Sequence, residues 1–204
     1  KEHLKLIASS YLFKDLLMLE QIKKPVLLQK LIRALALQTG SEVSMNEIGQ
    51  LLGVSSVTIE KYIDLLEKAY IVFRLPAYGK NVRNEIRKSK KVYFWDNGIM
   101  NAITGNFNLP VNRSDIGVLW ENFIISERNK YLRYRGADAQ SFFWRTTQQQ
   151  EIDLVEEYPD KLLAFEFKWN KTARFSKSFT QAYPQASLLS VSRDNFWEIL
   201  LDNE

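Results

Sequence analysis

An acidic residue and a lysine lie two positions apart in a short segment with the alternation of a β-strand. In AFEFKW, residues 164–169, aromatic side chains occur at every second position. Because successive side chains of a strand point to opposite faces, Glu166 and Lys168 share the face that the aromatic residues do not occupy. This face therefore combines a carboxylate with an ammonium group, which the apolar pattern does not require.

A second segment of the same kind precedes it and adds another carboxylate. In EIDLV, residues 151–155, the alternation predicts two faces. One carries Ile152 and Leu154, and the other carries Glu151, Asp153 and Val155. Pro159 and Asp160 then supply a turn, so the two segments predict a hairpin in which Asp153 lies close to Glu166.

Two carboxylates and an ammonium group at one place have two interpretations. Mg²⁺ prefers oxygen ligands, binds through one or two carboxylates and keeps several waters, so Asp153 and Glu166 could hold such an ion. Lys168 would then position an attacking water or offset the charge of a phosphate. The alternative is a set of cross-strand ion pairs that only stabilise the hairpin. The spacing alone leaves both interpretations open.

The composition restricts which sites the chain can form. Its 204 residues include no cysteine and one histidine, His3. This excludes disulfides, thiolate metal sites and a Ser-His-Asp triad, so any metal ion would be held by oxygen atoms. There is no charged-then-apolar leader and no run of about eighteen apolar residues, which favours a cytoplasmic protein. The chain begins with Lys1 rather than methionine, so we expect it to be a fragment of a longer protein.

Basic residues are concentrated in the first half of the chain. Residues 1–104 carry sixteen Lys and Arg against ten Asp and Glu, whereas residues 105–204 carry twelve against fourteen. Seven of these basic residues lie close together in the sequence: Arg74, Lys80, Arg83, Arg87, Lys88, Lys90 and Lys91. A surface of this kind can follow a phosphate backbone, so we expect nucleic acid as a partner. A docking surface for protein is the alternative.

Helical periodicity predicts a winged helix in the first half. Helices are predicted over about 1–19, 25–38, 44–53 and 55–68, and strands over about 71–73 and 92–95. Ser44 and Glu47 match a capping box, and Gly53 gives the tight turn of a helix-turn-helix, to which the two strands add a wing. The acids Glu60 and Asp64 on the second helix disfavour phosphate there, so the basic residues of the wing are the better candidates.

The second half has a different pattern. Turn-forming residues in GNFNLPVNRS, residues 105–114, mark a boundary, so we predict domains at 1–104 and 105–204. A long helix carries Glu121 at the edge of its apolar side. Further elements are predicted in the order helix 115–134, strands 142–145, 151–156 and 162–169, helix 175–182 and strand 188–191. The chain is therefore predicted to be an α+β protein, with a helical, winged-helix half followed by an α/β half.

These residues resemble the PD-(D/E)xK nuclease fold of restriction endonucleases. That fold has a glutamate on its first helix, an aspartate on one strand and Glu-x-Lys on the next, and the corresponding residues are Glu121, Asp153, Glu166 and Lys168. The resemblance implies that Asp153 and Glu166 ligate Mg²⁺ or Mn²⁺ and that Glu121 completes the ligand set. It also implies that Lys168 serves the attacking water. Glu127, on the same helix, is the alternative to Glu121.

Nearly the whole chain also resembles the C-terminal region of a prokaryotic family of AAA-type ATP-binding proteins. The segments that carry this resemblance include VTIEKYIDLLEKAYIVFRL at 57–75, KKVYFWDNGIMNAI at 90–103 and GVLWENFIISE at 117–127. In that family a winged helix and a nuclease-like domain of unknown function follow an ATPase module. The chain has no Gly-x4-Gly-Lys-Ser/Thr loop, so ATP is expected only in a module that this chain lacks.

The resemblance implies the C-terminal effector part of such an ATPase, with a magnesium-dependent nuclease-like domain and a winged helix that act on nucleic acid. The alternative is a non-catalytic module of the same fold, which binds DNA or protein and regulates the ATPase in the same polypeptide. The four matching residues favour the first hypothesis, whereas the mixed charge of the second helix favours the alternative.

Overall fold

The computed structural model describes residues 1–10, 25–79, 90–170 and 173–201. The architecture is mixed α+β, as the sequence predicts. The chain divides into two compact units, one formed by Lys1–Arg74 with Lys91–Arg113 and the other by Leu75–Lys90 with Ser114–Glu204. We expected a division after residue 104, whereas the second unit begins at Ser114 and also includes the earlier segment.

Five helices lie in the described residues of the first unit. They are α1 (Glu2–Ser10), α2 (Pro25–Leu37), α3 (Met45–Leu52), α4 (Ser56–Lys68) and α5 (Asn97–Thr104), and a short 3₁₀ segment follows at Pro110–Asn112. The predicted helices after residue 24 are confirmed. Of the first predicted helix, α1 covers residues 2–10, and residues 11–19 lie outside the described part.

The turn between α3 and α4 is tight, and local signals in the sequence set both of its ends. The hydroxyl of Ser44 accepts the N–H of Glu47 and caps α3, and Gly53 ends it with a left-handed φ of 69°. Ser55 caps α4 in the same way. A Cβ at Gly49 would lie 2.7 Å from the carbonyl oxygen of Val54, so this position requires glycine for a close backbone approach.

A two-stranded sheet follows α4 and consists of β1 (Val72–Pro76) and β2 (Lys90–Phe94). Both predicted strands are therefore present. After β1, Ala77 forms an isolated parallel bridge with Phe143, and the N–H of Tyr78 donates to the carbonyl of Phe143 at 2.6 Å. This segment thereby belongs to the second unit.

The second unit contains a four-stranded sheet with two helices. Its elements are α6 (Ile116–Arg135), β3 (Gln140–Arg145), β4 (Glu151–Glu157), β5 (Leu162–Phe167), α7 (Lys177–Ala182), β6 (Ser187–Val191) and a 3₁₀ segment at Phe196–Ile199. The strand order is β3-β4-β5-β6, with β5 and β6 parallel and the other pairs antiparallel. The helix α7 lies in the crossover between the parallel strands, as such a connection requires.

Buried apolar side chains pack against this sheet. One core cluster consists of Tyr78, Trp144, Ile152, Val155, Leu162, Ala164, Phe179 and Tyr183. The long helix α6 lies against β5, buries Ile124 and Ile125 completely, and ends at Gly136 with a φ of 59°, close to the predicted end at residue 134. None of the described helices is long and apolar enough to span a membrane.

Candidate metal centre

The predicted hairpin of β4 and β5 is confirmed. Leu154 pairs with Phe165 and Val155 with Ala164 in antiparallel register, and the N–H of Tyr158 closes the turn on the carbonyl of Lys161 at 2.9 Å. Continued by one step, this register places Asp153 opposite Glu166. The two segments with carboxylates therefore lie side by side in one sheet.

A β-bulge in β4 changes the predicted faces of this strand. Phe142 pairs with Val155 and Trp144 with Ile152, so β4 has one residue more than β3 between these pairs. Simple alternation put Ile152 and Val155 on opposite faces, and this was wrong, because both belong to the same core cluster. An extra residue re-aims the side chains of the bulged strand. Asp153 lies within this bulge.

Within this bulge, the side chain of Asp153 makes a hydrogen bond to the backbone of the neighbouring strand β5. Its Oδ2 accepts the backbone N–H of Phe167 at 2.7 Å, and the residue is 8% exposed. A buried carboxylate that accepts a backbone N–H has a fixed position. Asp153 is therefore oriented by the backbone of β5.

Three carboxylates converge at this point. One oxygen of each of Glu121, Glu151 and Asp153 lies within 4.8 Å of the others, and Glu121 and Glu151 are partly buried. Glu121 comes from α6, and the other two come from β4. The resemblance pointed to Glu121 and Asp153, whereas our sequence analysis did not name Glu151 as a ligand. The sequence does contain a signal for Glu151 as a ligand, because this residue lies two positions before Asp153 in a strand and so shares its face.

Lys168 and Glu166 form the neighbouring part of the cluster. The Nζ of Lys168 lies 3.3 Å from Oε2 of Glu166 and 3.8 Å from Oδ2 of Asp153. The side chain of Lys168 is 47% exposed, whereas Glu166 is buried. The convergence of two carboxylates and an ammonium group, expected from the alternation, is thus present. Glu166 is not one of the three carboxylates that all approach one another, but its side chain contacts both Lys168 and Asp153.

The protonation of this pair is set by burial and by neighbouring charges. Burial raises the pKa of Glu166, and the lowering by Lys168 and by a hydrogen bond with Asp153 does not fully offset it. For Lys168, burial alone would lower the pKa, but the carboxylates of Asp153, Glu166 and Glu121 more than offset this and raise the pKa. The ammonium group of Lys168 is therefore held in its protonated form beside the carboxylates of Asp153, Glu166 and Glu121.

The donor set fits a hard divalent cation. The three converging side chains supply only carboxylate oxygens, which are the ligands of Mg²⁺, Mn²⁺ and Ca²⁺ rather than of soft metals. The alternative ligand Glu127 lies elsewhere on α6 and forms an ion pair with Lys130. The cluster could therefore bind a divalent metal ion through Glu121, Glu151 and Asp153.

The predicted basic surface is only partly within the described residues. Lys80, Arg83, Arg87 and Lys88 lie outside them. The guanidinium of Arg74 forms ion pairs with three carboxylates of α4, which belong to Glu60, Asp64 and Glu67. Lys91 is 1% exposed and Lys90 is partly buried. The Arg74 donors are thus occupied by protein carboxylates, and the Lys91 side chain is enclosed by the fold.

Comparisons with known proteins agree with a division near residue 113. Residues 116–197 match the family described as Domain of unknown function (DUF4143). Two relatives are the uncharacterized proteins Mb2031c of Mycobacterium bovis and Rv2008c of Mycobacterium tuberculosis. Each is 28% identical over 155 residues, which cover 75% of this chain and 34% of the relative.

The chain thus spans about a third of the length of these curated relatives. No solved structure matches it. Residues 2–109, more than half of the chain, match the family described as Domain of unknown function (DUF8612). The protein therefore belongs to the DUF8612 family.

Proposed function

We propose that the second unit is a metal-dependent phosphodiesterase that cleaves nucleic acid, with a fold like that of the PD-(D/E)xK nucleases. One observation carries the proposal. Carboxylate oxygens of Glu121, Glu151 and Asp153 lie within 4.8 Å of one another, and the Nζ of Lys168 lies 3.8 Å from Asp153. Acidic ligands for a divalent cation beside a fixed ammonium group suit a phosphodiester substrate, which brings negative charge to the site.

The proposed roles follow from the position of each side chain. A bound Mg²⁺ or Mn²⁺ would act as a Lewis acid on the phosphodiester and would activate the attacking water. Glu121, Glu151 and Asp153 would hold this ion. Lys168 would donate hydrogen bonds to a phosphate oxygen and offset the charge that develops there. Glu166 contacts Lys168 at 3.3 Å and keeps its ammonium group beside Asp153.

The order of elements supports the nuclease-like interpretation. A long helix with a glutamate precedes three antiparallel strands, and a crossover helix then leads to a parallel fourth strand. This is the order that the resemblance implies. Glu151 is the difference, because it takes the place among the three converging carboxylates that the resemblance gave to Glu166.

The first unit is proposed to be a winged helix that brings the nuclease-like unit to nucleic acid. The tight connection of α3 to α4 and the strand pair after α4 support this interpretation. We further propose that both units are the C-terminal part of a cytoplasmic AAA-type ATPase, in which ATP binds to a module outside this sequence. The matched region is 34% of each mycobacterial relative, so those proteins have room for such a module.

A non-catalytic regulatory module is the second candidate, and the surface of the first unit favours it. Arg74 is paired with the acids of α4, whereas Leu51 and Val57 beside the helix-turn-helix connection are 71% and 63% exposed. Exposed apolar residues at this position favour a protein partner over a phosphate backbone.

A cleavage assay tests the proposed function. End-labelled single-stranded and duplex DNA are incubated with the protein and Mg²⁺ or Mn²⁺. We expect metal-dependent cleavage by the wild type and by Asp138→Asn, an exposed matched control on the second unit. We expect none by Asp153→Asn. Absence of cleavage by the wild type at saturating metal, or equal cleavage by Asp153→Asn, would contradict the nuclease proposal and leave the regulatory module.

A further inference from the structure

A buried ion pair connects the same two elements that carry the three carboxylates. The Nε of Arg128 on α6 lies 2.8 Å from Oε1 of Glu156 on β4, and its Nη2 lies 2.9 Å from Oε2. Glu156 is completely buried, and Arg128 is 8% exposed. The hydroxyl of Tyr158 donates to the same carboxylate at 2.9 Å. The pair is therefore bidentate and enclosed by protein.

This pair and the three carboxylates make two separate connections between α6 and β4. Glu121 and Arg128 are seven residues apart, which places them on one helix face with a separation of about 10 Å along the axis. Asp153 and Glu156 are three residues apart in β4, across the bulge. Both pairs follow the chain in the same direction. A shift of α6 along β4 that separated Arg128 from Glu156 would also separate Glu121 from Asp153.

Stability alone is a weak reason for such a pair. Removing two charges from water carries a large desolvation cost, and apolar replacements of buried pairs are often neutral or stabilising. Breaking the pair is costly, however, because one charge stays buried without a partner. The pair therefore penalises any other register of α6 on β4 and specifies one arrangement.

The remaining contacts of Arg128 add to this effect. Its Nη1 donates to the carbonyl of Ile199 in the last 3₁₀ segment, and its guanidinium lies 5.7 Å from the ring centre of Phe165 on β5. A planar guanidinium can make the bidentate pair and these contacts together, whereas a lysine ammonium cannot. The register of the helix is thus fixed against both central strands.

We infer that Arg128 and Glu156 are the positioning residues of the metal centre, which hold Glu121 at ligand distance from Glu151 and Asp153. This inference rests on the proposed function, since it requires that the three carboxylates bind a divalent cation. Neither residue is among the three that would hold the ion. Their effect is on the distance between the helix ligand and the strand ligands.

The test measures Mn²⁺ affinity by calorimetry, together with the unfolding temperature in the absence of metal. Arg128→Lys keeps the charge and loses the bidentate geometry. The triple variant Arg128→Met, Glu156→Leu, Tyr158→Phe replaces the buried polar groups with apolar groups of similar size, so we expect it to fold. Lys130→Met removes a partly exposed charge, which is paired with Glu127, from the same helix and is the matched control.

We expect Mn²⁺ to bind about tenfold more weakly to Arg128→Lys and to the triple variant, in the range of other residues that orient ligands indirectly. The unfolding temperature of the metal-free triple variant should stay close to that of the wild type, and Lys130→Met should bind as the wild type does. Wild-type affinity in either folded Arg128 variant would overturn the positioning role while leaving the metal site intact. Absence of Mn²⁺ binding by the wild type would instead refute the metal site itself.

Discussion

Asp153→Asn is the substitution that should separate a metal centre from a set of ion pairs. Asp153 is the carboxylate that belongs to both parts of the cluster, because it approaches Glu121 and Glu151 and also lies 3.8 Å from the Nζ of Lys168. Asparagine keeps the shape and an oxygen that can accept the N–H of Phe167, so the fold of the hairpin should survive. The negative charge is the property that this variant loses.

The magnitude follows from the spacing of the charges. At an effective dielectric constant of about 20, two carboxylate charges at the upper limit of 4.8 Å repel by about 3.5 kcal/mol before further screening. Asp153 takes part in two of the three pairs, so its neutralisation removes most of the repulsion that a cation would relieve. At a Mn²⁺ concentration about 100 times the Kd, binding stabilises the folded wild type by about 2.7 kcal/mol. For a chain of this size, this corresponds to roughly 5–10 °C in unfolding temperature.

The assay is thermal unfolding across a Mn²⁺ titration, with Asp138→Asn as the control. The unfolding temperature of the wild type and of the control should rise with metal concentration, and that of Asp153→Asn should stay nearly constant. In the absence of metal, Asp153→Asn should be as stable as the wild type or more stable. An equal rise in all three proteins would refute the assignment, because the metal would then bind elsewhere.

Three further predictions concern other residues. Lys168→Ala should keep Mn²⁺ binding, because the three carboxylates remain, but should lose DNA cleavage; a cleavage rate like that of the wild type would remove Lys168 from the mechanism. Burial and the neighbouring Glu156 raise the pKa of Tyr158 to about 12. The folded chain thus holds this phenolic proton more tightly than the unfolded chain, whose pKa is near 10, and loses stability as the pH rises from about 10 to about 12. Denaturant unfolding should show a smaller loss over this range for Tyr158→Phe, and identical slopes would contradict the burial of this group. Gly49→Ala should destabilise the first unit by about 1–3 kcal/mol, because its methyl group would lie 2.7 Å from the carbonyl of Val54; an unchanged denaturation midpoint would show that the turn can open.

Local signals in the sequence were sufficient for much of the fold. Ser44 and Ser55 cap their helices, and Gly53 and Gly136 end theirs with positive φ, because these features depend on a few adjacent residues. The hairpin of β4 and β5 was also predictable, since two alternating segments were joined by a short turn. The approach of Asp153 to Lys168 follows directly from that hairpin.

The bulge in β4 could not be predicted from alternation. It depends on the register with β3, which is fixed by packing of Trp144 and its partners rather than by neighbours in the sequence. The same limit applies to Glu151. Its spacing from Asp153 was visible, but only the position of α6 brings Glu121 to both of them.

Charge counts were the least informative part of the sequence. Arg74 looked like a phosphate contact, whereas its guanidinium pairs with acids at three positions of α4 that share one helix face. The pair of Arg128 and Glu156 joins residues that are 28 positions apart, and no local pattern indicates such a contact. Whether a charged residue faces solvent or a partner is decided by tertiary packing.

The most direct test of the metal centre is anomalous scattering from crystals soaked in Mn²⁺. We predict one strong peak at about 2.1 Å from carboxylate oxygens of Glu121, Glu151 and Asp153, the distance at which Mg²⁺ binds oxygen. The peak should be absent from crystals of Asp153→Asn grown in the same way. A wild-type crystal with no peak at these three residues after saturating Mn²⁺, or with a peak that persists in Asp153→Asn, would contradict the assignment.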